Sequence, residues 1–279
     1  MKALIFFILI FYFDISGKTQ TLDSASTLVR YKLTYLSDSL LPKKTRTDIM
    51  QLCIGDTISS FYSYIGFSSD SAIKNDMAEG KITLQDFSKT QEFHRKYPSP
   101  GLLNKYELYI NYPENKITTT DNVFTSKYLF EEKMEPLKWT ILGDTMKISG
   151  YNCQNATTNF RGRLYIAWFT PELPWNEGPY KFRGLPGLII KIEDTKENFI
   201  FECIEIQRLS RKQPIVLNNK DFIKTNRAEY RKLLKAGFDN LYQVLIADHI
   251  NNITMSEDTE NMLKANLQKP LPYNPIELE

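Results

Sequence analysis

Histidine is almost absent from this chain: among 279 residues there are two, His94 and His249. Neither stands in a spacing such as His-Glu-x-x-His, which would bring two imidazoles to one helix face, and Gly-x-Ser-x-Gly is missing too. No catalytic residue, metal ligand or cofactor is therefore assigned. Cysteine is scarce as well. Cys53, Cys153 and Cys203 contain no Cys-x-x-Cys pair, which removes thiol-redox and structural zinc readings. An odd count leaves at least one thiol over; whether two of them pair, or all are buried apolar side chains, stays open. Charge of one sign is not in excess either. With 35 Lys and Arg against 33 Asp and Glu the net charge is +2, no electrostatic footprint for nucleic acid. No Gly/Ser-rich, Pro-rich or repeated stretch divides 18–279, so a single domain is expected there.

What is present begins at the N-terminus. Lys2 precedes an apolar run from Ala3 to Phe13, followed by the polar Asp14-Ile15-Ser16-Gly17. This is the three-part pattern of a secretion signal over 1–17. The run falls short of the roughly 20 apolar residues that span a bilayer core of about 30 Å, so no transmembrane segment is expected in the mature form. No cysteine follows the run before Cys53, which argues against a lipid-modified terminus. The mature chain is expected to begin near Lys18, in the periplasm or outside the cell.

Most of the remainder alternates with period two and is rich in Tyr, Phe, Ile and Thr, the strand signal. Strands are expected near Val29 to Tyr35, Ile49 to Ile54, Ser59 to Tyr64, Tyr106 to Tyr112, Lys116 to Thr120 and Val123 to Glu131. Others follow at Trp139 to Leu142, Met146 to Tyr151, Cys153 to Phe160 and Arg163 to Thr170, with connections short enough for antiparallel neighbours. A poorly periodic helix is placed between Ser71 and His94. A longer one is expected from Asn226 to His249, with Asn226 and Glu229 as a capping pair and Tyr230, Leu233, Leu234, Phe238, Leu241, Tyr242 and Leu245 as its apolar stripe. The fold expected is α+β and mainly antiparallel β: a curved sheet or half-barrel packed against one long C-terminal helix.

Gly184-Leu185-Pro186-Gly187-Leu188-Ile189 spells the motif for which the GLPGLI family is named. Further stretches are similar to that family: Gly150 to Thr157, Phe160-Arg161-Gly162-Arg163, Ala167 to Pro171, Gly178 to Phe182, and the closing Asn274-Pro275-Ile276-Glu277-Leu278. The likeness is densest from Gly150 to Ile192 and thins toward the N-terminal half, where Phe61-Tyr62-Ser63 is matched. The resemblance implies an exported protein of the Bacteroidota with no settled activity. Read physically, Pro186 presets φ and Gly187 supplies the positive φ of a turn that launches a strand at Leu188.

The stretch before this motif carries the candidate binding residues. Trp168, Phe169, Trp175, Tyr180 and Phe182 lie in or beside a loop stiffened by Pro171, Pro174 and Pro179, where they either cap the core or line an apolar groove. Neighbouring carboxylates Glu131 and Glu132 would point to opposite faces of a strand and read as solvated or turn charges. The function expected is non-catalytic binding of an apolar ligand or an envelope protein. A hydrolase with a dispersed Ser-His-Asp set and a structural or assembly component of the envelope are the alternatives.

Overall fold

The structure, a computed structural model, describes residues 20–38, 45–82, 93, 95–98, 104–123, 126–241, 243 and 273–279. The expected secretion signal, His94 and His249 lie outside the described residues. In chain order the elements are β1 (Gln20–Leu36), β2 (Thr45–Ile54), β3 (Ser59–Ser63), α1 (Tyr64–Ala78), β4 (Glu107–Ile110), β5 (Lys116–Val123) and β6 (Ser126–Lys133). Then come β7 (Thr140–Ile148), β8 (Tyr151–Phe160), β9 (Arg163–Thr170), β10 (Leu188–Asp194), β11 (Phe199–Leu217), β12 (Ile223–Lys224) and α2 (Arg227–Asp239).

All twelve strands join one sheet in the order β12-β6-β5-β4-β3-β2-β1-β11-β10-β9-β8-β7. Two antiparallel meanders, β1 to β6 and β7 to β11, meet where β11 pairs with β1. The short β12 runs parallel to β6, which makes the sheet mixed. Period-two alternation sorts the side chains into two faces. Val29, Tyr31, Leu33 and Tyr35 of β1, Met50 and Leu52 of β2, Phe61 of β3 and Leu108 and Ile110 of β4 enter one large core, shared with Tyr165, Phe169 and Phe201. On the opposite face Leu28, Cys53 and Tyr109 form a smaller cluster with Ala25, Ile58, Ile215 and Leu217. The cysteines are free, and all three are buried.

The expectation of a long C-terminal helix packed on the sheet is overturned: the described fold is mainly β, and its two helices run 15 and 13 residues. Asn226 does cap α2, accepting from the Glu229 N–H at 3.0 Å. The helix nevertheless ends at Asp239, because Asn240 leaves helical dihedrals at φ −149°. Tyr242 and Leu245 of the expected stripe, and the end of that helix at His249, lie outside the described residues. Leu234 and Phe238 pack against Val123, with Tyr128, Tyr230 and Tyr273 beside them. Leu233 is 41% exposed. What covers the large core instead is the loop between β9 and β10, whose Leu173, Tyr180, Phe182 and Leu185 belong to that core.

The first helix also departs from expectation. It starts at Tyr64, where the Ser63 hydroxyl accepts from the Gly66 N–H at 3.0 Å, and it ends at Ala78. The rest of the helix expected through His94 crosses residues outside those described.

Candidate functional site

A groove of about 750 Å³ opens beside the first turns of α1. That volume is ordinary for a small-molecule site. Aromatic rings of Tyr62, Phe67, Tyr106, Tyr109 and Phe222 line it, together with the polar groups of Ser63, Asn104, Glu107, Asp121 and Asn122. The sheet supplies this mixture through its register. Tyr62 faces Glu107 across β3 and β4, and Glu107 faces Thr120 across β4 and β5, so Tyr62, Glu107 and Thr120 share one face.

Three carboxyl groups in this region hold their protons more tightly than usual. Burial pushes Asp121 up to about 6. Its Oδ2 accepts from the Tyr230 hydroxyl at 2.5 Å, and this contact and the Asn122 backbone N–H pull in the opposite direction from burial. Asp48 stands behind Ser63 and Asn104, accepting from the Ser63 hydroxyl at 3.0 Å and the Ile49 N–H at 2.7 Å. It too is raised by burial to about 6. Burial also raises Glu107. The Tyr109 hydroxyl lies 2.7 Å from Glu107 Oε2 and 3.0 Å from the Val216 carbonyl oxygen, yet its one proton can serve only one acceptor. The groove therefore combines apolar ring faces with the carboxyl group of Glu107 and the amide of Asn122. Among the described residues no group of three or more His, Cys, Asp or Glu could hold a metal ion.

The five aromatic residues proposed from sequence are placed differently. Phe169 and Phe182 are fully buried and Tyr180 is nearly so. The Phe182 ring lies 4.5 Å from that of Tyr165 and 5.2 Å from that of Phe160. Trp168 and Trp175 are half-buried against the same core. The Arg208 guanidinium sits 5.4 Å from the Trp175 ring centroid. None of the five lines the groove beside α1. In the Gly184–Ile189 motif, Gly187 has φ +148°, and β10 begins at the next residue.

A second constellation was missed in the sequence. Residues 273–279 lie across the β8–β9 turn and the start of α2, held by named side chains. Arg163 donates to Asn274 Oδ1 at 2.7 Å and to the Pro275 carbonyl at 2.8 Å. Asn274 donates in turn to the Leu36 carbonyl at 2.8 Å. Glu277 accepts from Tyr180 at 2.6 Å, from Lys181 at 2.7 Å and from both Arg227 Nε and Nη2 at 2.8 and 2.6 Å. Glu277 is itself buried, which alone would raise its pKa, but Lys181 and Arg227 outweigh that and hold it down at about 2. Glu132, read as a solvated charge, is instead enclosed there, paired with Lys181 and with Arg161 at 3.0 Å. Its neighbour Glu131 does face outward, beside Lys116. The alternation of the strand carried this difference; the sequence did not say which face was closed.

Comparison with known proteins adds little chemistry. A family model described as a protein of unknown function, Porph_ging, matches residues 161–191, a stretch that contains Gly184 to Ile189. No curated protein matches. Two solved structures of PNGF-II, in the C2 and P21 space groups, are similar at 12% identity and a TM-score of 0.46, covering 75% of this chain. The chain spans about a third of their length, 32% and 33% respectively.

Proposed function

We propose that this is an exported, non-catalytic binding protein of the bacterial envelope, of the GLPGLI kind, whose ligand occupies the groove beside α1. The observation that carries the reading is the groove itself, about 750 Å³, walled by the rings of Tyr62, Phe67, Tyr106, Tyr109 and Phe222 with Glu107 and Asn122 among its lining. The ligand class that fits has an apolar ring or chain to lie on the tyrosines and polar groups to meet Glu107 and Asn122. This moves the site away from the proline-stiffened aromatic loop, whose Phe169, Tyr180 and Phe182 complete the protein's own core.

Export rests on the basic and apolar N-terminal pattern, in keeping with the described residues containing no helix long and apolar enough to cross a membrane. N-terminal sequencing of the native protein is expected to start near Lys18; an intact Met1 would remove this part of the reading. Binding is tested by solvent extraction of protein purified from its own envelope. The wild type should release a small molecule in stoichiometric amount, and Ser71→Trp, which fills the groove from α1, should release little. Equal yields from the two proteins would refute the placement.

A further inference from the structure

The polar contacts that hold residues 274–278 are of a different kind from those that build the sheet. They engage two side chains, those of Asn274 and Glu277, and the main chain of Pro275, Ile276 and Leu278. Both ends of the Asn274 amide are engaged, its oxygen by Arg163 and its nitrogen by the Leu36 carbonyl. Tyr165 donates to the Ile276 carbonyl at 3.3 Å, and the Leu278 N–H donates to the Arg161 carbonyl at 2.8 Å. Glu277 is met by four donor atoms from three residues, Tyr180, Lys181 and Arg227. Beside them lies a cavity of about 440 Å³ lined by Glu132, Arg161, Lys181 and Glu279.

Charge gives this cradle a preference. With the segment docked, Arg161, Lys181 and Arg227 face Glu132 and Glu277. Without it, the same three cations face Glu132 alone, two positive charges in excess within a partly closed site where they are weakly screened. Such a site favours a carboxylate that arrives with a geometry the guanidinium fork can grip.

We infer that this cradle is a peptide-binding site in its own right, specific for an extended segment of Asn-Pro-Ile-Glu type, and that residues 274–278 fill it in cis as a strap that releases without unfolding the sheet. The partner that supplies the same segment in trans is a second copy of this chain. The inference stands on the strap contacts and does not depend on the groove beside α1.

The test uses the full-length chain and a labelled peptide, Tyr-Asn-Pro-Ile-Glu-Leu-Glu, followed by fluorescence anisotropy. Full-length E277Q, with its own strap weakened, is expected to bind the peptide at least about tenfold more tightly than the wild type does. The same peptide carrying Gln in place of Glu277 should bind about tenfold more weakly. Folded E277Q that fails to take up the peptide would overturn the proposal. Hydrogen exchange on the wild type decides the matter even if E277Q does not fold. The Leu278 amide should exchange at least about a hundredfold faster than that of Ala167 in β9, with no dependence on low denaturant. Exchange of both amides only through global unfolding would make the strap an ordinary part of the core.

Discussion

Replacing Gly187 by alanine is expected to be among the more damaging single-methyl changes available in this protein. Two separate effects contribute. At φ +148° an L side chain is strained whatever space surrounds it. The added Cβ would also lie 2.6 Å from the Thr170 carbonyl carbon and closer still to its oxygen, with Pro171 Cα at 3.0 Å. Those atoms belong to backbone, and Thr170 is held in register with Leu188, so relief requires the first pair of the β9–β10 ladder to part. Off-region dihedrals cost about 1 to 3 kcal/mol, and overpacking costs a similar amount. A loss of about 3 kcal/mol or more is therefore expected. Neighbouring glycines separate the two contributions. Gly184 has φ +92° with nothing within 4 Å of an added Cβ, so Gly184→Ala should show the dihedral cost alone, about 1 kcal/mol. Gly143 has open space and no positive φ, and its alanine variant should be close to neutral. Urea unfolding with a slope of about 1–3 kcal/mol/M converts 3 kcal/mol into a midpoint shift of roughly 1 M or more. If Gly187→Ala unfolds at the same midpoint as Gly184→Ala, the close approach to Thr170 contributes nothing and the reasoning fails.

Stability should also depend on pH in a direction set by Asp48 and Asp121, both raised to about 6. An unfolded aspartate ionises near 4, so above pH 6 the folded state carries a cost that lessens as pH falls through 6 and vanishes near 4, roughly 2 to 3 kcal/mol for each group. Chemical denaturation at pH 7.5 and pH 5 should show the rise, and Asp121→Asn should remove its share; a flat profile would contradict both assignments. Asp194 accepts from the Phe199 N–H at 2.7 Å, from Asn198 at 3.0 Å and from Arg163 at 3.3 Å, all buried. Asp194→Ala should cost about 3–5 kcal/mol by leaving Arg163 enclosed without its carboxylate, and a cost below 1 kcal/mol would show that water reaches the guanidinium. Trp175→Ala, at a half-buried position, should cost clearly less in urea than Phe182→Ala, for which about 3–5 kcal/mol is expected, and equal losses would place Trp175 in the core.

Local patterns in the sequence were read well where one chemistry dominated a short stretch. Arg163–Thr170 alternates cleanly and is a strand with those bounds. Tyr151–Phe160 and Ser59–Ser63 follow the same rule to within two residues of expectation. Phe199–Leu217 was not read as a strand because its second half carries Arg208, Arg211 and Lys212, and charge there obscures alternation along an exposed arm. The helix stripe misled for a converse reason: period 3.6 marks a face able to be buried, and among its described residues Tyr230, Leu234 and Phe238 pack against the sheet while Leu233 does not. The groove and the strap were beyond the reach of periodicity. Asp121 meets a tyrosine 109 positions away, and Lys181 meets Glu277 across 96. Such pairings arise from sheet order, which short-range pattern does not encode. The motif stretches around Arg161 to Arg163, Tyr180 and Asn274 to Leu278 did converge on one another, although nothing in their spacing announced it.

The central claim, that a ligand sits in the groove beside α1 and not among the loop aromatics, is tested most directly by native mass spectrometry of three proteins isolated from their own envelope. The wild type and Trp175→Ala are expected to carry the same added mass, and Ser71→Trp to fly without it. Loss of that mass from Trp175→Ala together with its retention by Ser71→Trp would contradict the account.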